Sequence, residues 1–275
     1  MKRDTLITSV VTVDRSGKAS KQDLVAVEEP LEIRLGETTI SVTMRTPGHD
    51  PDLAVGFLFT EGIVEDPAQI ISVRHAETEG NPRQAGNTVV VELKPGFEVD
   101  SERFRRNFYA TSSCGICGKA SLTAIEVSPR RPMREPAPVF RAELIHSLPE
   151  LLRQSQAVFD RTGGLHAAAL FSAEGELRGV REDVGRHNAL DKLIGLGLRN
   201  SLALGESLVL MSSRAGFEIV QKAVMAGVPV LAAVGAPSSL AVEAARRFDI
   251  TLLGFVRDGR FNIYSGEKRI SLDPN

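Results

Sequence analysis

The chain has 275 residues, 33 Lys and Arg against 35 Asp and Glu, and a formal net charge of −2. That balance offers no global field for nucleic acid or an anionic bilayer. Without Trp, and with only two Tyr, the chain also lacks an aromatic platform for single-stranded bases.

No apolar run approaches the roughly 20 residues of a membrane helix. The start, Met1 to Asp4 leading into a strand-like Leu6 to Val11, has no apolar stretch with a small-residue cleavage site. The expectation is a cytoplasmic protein with no membrane or nucleic-acid partner, long enough for one or two domains.

The first hundred residues read mostly as strands. Leu24 to Arg34 and Thr39 to Thr46 form a predicted hairpin around Gly36. Asp50 suits an N-cap and Pro51 a first helical position. The helix after them, Leu53 to Ile63, is apolar on most sides and should be buried. Ile70 to His75 and Thr88 to Leu93 are predicted strands around a polar turn. The division expected is a β-rich part over residues 1–110, a CxxC loop and linker over 111–139, and an α/β part over 140–275.

In the last part, Leu144 to Phe159 has helical spacing ended by Gly163 and Gly164. Two strands turn at Glu174 and Gly175. A helix from Arg186 to Leu198 comes next, then alternating strands and helices to Val256 and a hairpin turn at Asp258 and Gly259. This alternation implies a central sheet covered on both faces.

Cys114 and Cys117 are the only cysteines, three residues apart in Thr-Ser-Ser-Cys-Gly-Ile-Cys-Gly. A reduced compartment makes such a pair more suited to catalysis or metal than to a structural disulfide. Four readings stand: a persulfide-bearing nucleophile, a redox dithiol, half of a zinc site, or inert buried thiols. The polar, glycine-rich flanks count against the last. No second cysteine pair completes a structural zinc site. His75-Ala76-Glu77 with the CxxC echoes the zinc deaminase signature, but Ser113 replaces its proline and a turn replaces its helix. A helix over Lys119 to Val127 would place the thiols near a helix N-terminus, which favours thiolate. No metal ligand set is assigned.

In an α/β sheet ligands collect beyond the C-terminal strand ends. Two strand-to-helix junctions, Ser212 to Gly216 and Gly235 to Ser239, carry small residues, with Ser213 and Arg214 in the first. Ordinary helix capping explains either junction alone; the repetition admits phosphate binding. At the last strand end lie Phe255, Val256, Arg257, Asp258, Gly259 and Arg260. Two arginines there suit a diphosphate and Phe255 a base; a solvated hairpin is the plain alternative. His187, in the polar run Glu182 to Asn188, suits proton transfer or an anion, or is structural. His166 and His49 read as structural.

Taken together, the stretches 107–118, 162–166, 181–192 and 212–214 resemble the FdhD family of formate dehydrogenase accessory sulfurtransferases. The resemblance implies a cytidine-deaminase-like mixed sheet flanked by helices, and a homodimer. It implies a sulfur carrier loaded by a cysteine desulfurase, with Cys114 as the persulfide intermediate and Cys117 assisting. The acceptor it implies is molybdenum (or tungsten) bis(molybdopterin guanine dinucleotide), on its way to formate dehydrogenase. The family's guanine-contacting stretch falls on Phe255 to Arg260.

Overall fold

A computed structural model describes residues 4–76, 86–97 and 136–272. Cys114, Cys117 and Glu77 lie outside the described residues.

Strands β1 (Thr5–Asp14) and β2 (Gly17–Ala26) form a long antiparallel ribbon of two strands. The expected strand from Leu24 is therefore split at residues 27–28, and only its second half, β3 (Glu29–Leu35), joins the next sheet. β3 turns through Gly36, at φ 52°, into β4 (Thr38–Arg45). With β5 (Ile70–His75) and β6 (Thr88–Leu93) they make a sheet of order β4-β3-β6-β5.

Helix α1 (Asp50–Thr60) starts earlier than the sequence suggests. Its N-cap is His49, in left-handed backbone. Asp50 is inside the helix because its carboxylate is taken by the buried Arg45, at 2.8 and 3.0 Å. Leu53, Ala54 and Leu58 of α1 pack on Leu31, Ile33, Val89 and Val91 of the small sheet.

The main sheet has order β13-β12-β11-β10-β8-β9. Its members are β8 (His166–Phe171), β9 (Leu177–Asp183), β10 (Leu208–Met211), β11 (Val230–Ala233), β12 (Thr251–Arg257) and β13 (Arg260–Ser265). β10, β11 and β12 run parallel; the other neighbours pair antiparallel, so the sheet is mixed.

Side chains alternate as a doubly covered sheet requires. Val209 and Met211 face one core, under α4 (Arg186–Arg199), α5 (Phe217–Met225) and α6 (Ser239–Arg247). Leu208 and Leu210 face the other, with Ile145, Leu148 and Leu152 of α2 (Ala142–Gln154). β7 (Phe140–Arg141) and β14 (Ile270–Ser271) pair beside α2.

The helix expected through Phe159 is two helices, α2 and the short α3 (Ala157–Thr162). The chain turns at Gln156, and a distant side chain restarts it: Glu182 accepts from the N–H groups of Val158 and Phe159 at 3.0 and 2.8 Å. Helical spacing along the segment carries no trace of that cap. Gly163, at φ 65°, ends α3 as expected.

The two sheets are joined by α1 crossing α4. A Cβ on Gly56 would overlap the Asp191 carbonyl, and one on Gly195 would overlap that of Asp52, so only glycine allows this approach. Four groups of ion pairs surround the crossing. Lys192 reaches Asp183 (2.7 Å) and the carbonyls of Thr46 (2.8 Å) and Glu182 (3.3 Å). Lys222 reaches Asp191, Glu61 and the Thr60 hydroxyl, each at 2.9 Å. Asp52 holds Arg181 at 2.7 Å and also Arg199. Arg45 holds Asp50.

Candidate functional site

The parallel strands end on one edge, and the loops there interlock. The Gly235 N–H donates to the Ser213 carbonyl (3.1 Å), and Ala215 N–H to Ala236 (3.2 Å). Phe255 N–H donates to the Gly235 carbonyl (3.1 Å). A Cβ on Gly254 would come within 2.8 Å of Pro237 and 2.9 Å of Tyr264; one on Gly235 would sit 2.9 Å from Arg214. Small residues are thus required by loop against loop, before any ligand is considered. The result is a row of three loops: 212–216, 234–238 and 254–260.

The two junctions that look alike in sequence differ in space. Ser238 is the N-cap of α6, accepting from Ala241 N–H at 3.3 Å, so capping accounts for it. α5 begins at Gly216 with no side-chain cap, and Ser212 turns back to accept from Ala167 N–H at 2.8 Å. Ser213 is buried and donates to the Arg214 carbonyl, while Arg214 is exposed.

At the hairpin, Phe255 has φ 54° and Asp258 φ 53°, both left-handed, at the bulge and turn joining β12 to β13. For a phenylalanine such backbone is costly and marks a constrained spot. It lets Val256 fill the core while Phe255 stays half-buried. Val256 therefore has only its backbone to offer a ligand. Arg257 lies directly opposite Arg260, both exposed, and the Arg257 guanidinium sits 5.6 Å from the Phe255 ring centre. Like charges facing across a ladder are unfavourable by themselves and suit an anion between them.

His187 is in the first turn of α4, at the same edge. Its Nε2 lies 2.9 Å from Oε2 of Glu218, in the first turn of α5. His166 opens β8 opposite Asp183. Burial, then Arg186 and His187, hold its imidazole below the ordinary value, so it favours the neutral ring. His49 is likewise lowered, by burial and then Arg181.

The rest of the polar run is a dock between the sheets. Asp183 accepts from Thr46 N–H (3.1 Å), Asn188 donates to the Met44 carbonyl (2.7 Å), and Lys192 and Asp191 are in the buried pairs. Glu218 is the residue the sequence reading missed. An acidic residue in a first helical turn is ordinary, and nothing along the chain links it to His187.

His75 stands on a strand, 3.8 Å from Asp50. Among the described residues no group of three His, Cys, Asp or Glu is placed to hold a metal. A groove of about 510 Å³ lies at the opposite edge of the sheet, between Pro138, Ser172, Arg178 and Leu202; Arg178 there is already paired with Glu176 at 2.8 Å.

Comparison with known proteins gives a consistent result. The profile of the FdhD/NarQ family matches residues 26–271. A protein of Streptomyces coelicolor named sulfur carrier protein FdhD is 49% identical over 277 residues, covering 99% of this chain and 98% of the relative. One of the same name from Mycobacterium tuberculosis is 49% identical over 258 residues, covering 92% and 93%. A crystal structure described as a putative formate dehydrogenase accessory protein from Desulfotalea psychrophila superposes with a TM-score of 0.77 at 23% identity, over 98% of this chain and 100% of that one. At that identity the match establishes the shared fold.

Proposed function

The chain belongs to the FdhD/NarQ family, and from that premise we propose that it carries sulfur for formate dehydrogenase. Cys114 takes sulfane sulfur from the persulfide of a cysteine desulfurase and passes it to a molybdenum bis(molybdopterin guanine dinucleotide). Loading is an exchange: the Cys114 thiolate attacks the desulfurase's terminal sulfur, the S–S bond there breaks, and the desulfurase departs as thiolate. Release uses the second thiol. Cys117 attacks Cys114 Sγ, a disulfide forms between them, and the terminal sulfur leaves with the S–S electron pair as hydrosulfide. A dithiol reductant resets the pair, which suits the cytoplasm.

The observation that supports this reading is the coexistence of one isolated CxxC with a sheet edge whose paired arginines suit a nucleotide anion. The facing Arg257 and Arg260, with Phe255 beside them, suit the guanine and its phosphates. Asp258 and Gly259 form the turn that presents them, and Arg214 and His187 continue the polar edge. The partner is a second copy of the chain: the β1–β2 ribbon exposes Leu6, Ile7, Val11 and Val13, and a two-stranded ribbon is marginal alone.

The test is mass spectrometry after incubation with a cysteine desulfurase and cysteine. One added sulfur should map to Cys114, and Cys114→Ala should fail to support formate dehydrogenase maturation. Full maturation with that variant would leave only a cofactor-holding chaperone.

A further inference from the structure

We propose that His187 is the catalytic acid of sulfur delivery and that Glu218 is its positioning residue; this rests on the sulfur-carrier reading. The two side chains come from different helices that start at the same edge, and meet at 2.9 Å with 22% and 12% of their surface exposed. Glu218 occupies Nε2, so Nδ1 is the ring nitrogen left to exchange a proton with a ligand. Among the described residues the other Glu218 oxygen is buried with no hydrogen-bond partner. Such a group is costly to keep for packing alone; the nearby Lys192, by contrast, has all three of its donors taken by Asp183 and two backbone carbonyls.

Position supports the role. Along the edge, the guanine stretch follows β12, while the pair sits where α5 follows β10 and β8 begins. β10 and β8 lie two and three strand spacings from β12, roughly 10–14 Å. A substrate with guanine at one end and metal at the other, laid along the loops, brings its metal end toward His187.

The chemistry there consumes a proton. Exchange of an oxygen ligand for sulfur is M=O + HS⁻ + H⁺ → M=S + H₂O. Hydrosulfide brings one hydrogen and the imidazolium the other; the oxygen leaves as water and no electron is transferred in this step. The charged and titratable groups beside His187 are Glu218 from α5 and His166 from β8; His166 in turn feels Arg186 and Asp183. His166 is held toward its neutral form by burial, Arg186 and His187.

The experiment separates loading from delivery. Full-length protein is charged with a desulfurase and cysteine, sulfur on Cys114 is quantified, and its transfer to the molybdenum bis-guanine dinucleotide is followed against pH. His187→Gln should load like the parent, deliver about 100-fold more slowly, and lose the pH-dependent limb between about pH 5 and 8. Glu218→Gln should slow delivery about 10-fold or more without abolishing that limb, and Glu218→Asp should recover part of the rate. Circular dichroism checks that each variant folds; if His187→Gln does not, the two Glu218 variants decide. Delivery at the parent rate with an unchanged pH profile overturns the proposal. Absence of sulfur on Cys114 in the parent overturns the sulfur-carrier reading instead.

Discussion

Lys222→Met tests whether the joint between the two sheets is electrostatic at its centre. The Lys222 ammonium has three donors, and the chain supplies three acceptors at 2.9 Å: the Thr60 hydroxyl and the carboxylates of Glu61 and Asp191. Lys222 is 6% exposed and Asp191 2%. Burial works against the ammonium, but Asp191 and Glu61 outweigh it and raise its proton affinity above the ordinary lysine value. Burial, only partly offset by Lys222, raises the Asp191 carboxyl. Methionine keeps the stem's volume and removes the charge, stranding Asp191 in the core. Breaking a buried pair from one side costs about 3–5 kcal/mol, or a fall in Tm of roughly 6–20 °C for a chain of this size. The sign with pH follows from Asp191. Its folded carboxyl, raised further once Lys222 is gone, holds a proton that the unfolded chain releases above about pH 4. The variant's deficit should therefore be small near pH 4 and widen as pH rises to the raised value. Removing both charges, as Asp191→Leu with Lys222→Met, should cost less than the sum of the single changes. Urea unfolding across that pH range measures all three. A single-variant deficit under about 1 kcal/mol, or one that grows on acidification, would refute the reasoning.

The helix crossing gives a second test. Gly56→Ala improves helix propensity by about 1 kcal/mol, yet its Cβ meets the Asp191 carbonyl; a net loss of about 1–3 kcal/mol is expected from overpacking, and thermal unfolding no worse than the parent's would contradict it. Arg257→Ala with Arg260→Ala should weaken guanine dinucleotide binding by roughly 100-fold or more, from charge-assisted bonds of about 1.5–3 kcal/mol each. Calorimetric titration reads this, and unchanged affinity removes the hairpin from the site. Deleting residues 5–25 should turn a dimer into a monomer by light scattering, and a dimer that persists would relocate the interface.

The alternation of strands and helices after Arg186 was legible because each element there carries its own period and its own turn residues: Asp258 and Gly259 form the hairpin turn they suggest, at φ 53° and 66°. The elements that shifted are those whose ends are set from elsewhere in the chain. Asp50 reads as an N-cap, but Arg45 takes its carboxylate; the break at Gln156 is made by Glu182, 26 residues on. The run from Glu182 to Lys192 shows why composition could not separate a joint from a site. Joining two sheets through buried charges and handling a proton both call for Asp, Glu, Lys and His near a helix start. What distinguishes them is whether each polar atom is satisfied within the chain. Lys192 has three donors and three acceptors, so it has nothing left for a ligand. Glu218 has one oxygen on His187 and, among the described residues, no partner for the other. Incomplete satisfaction is a property of three dimensions only, and it singles out the one carboxylate at this edge that sequence passes over.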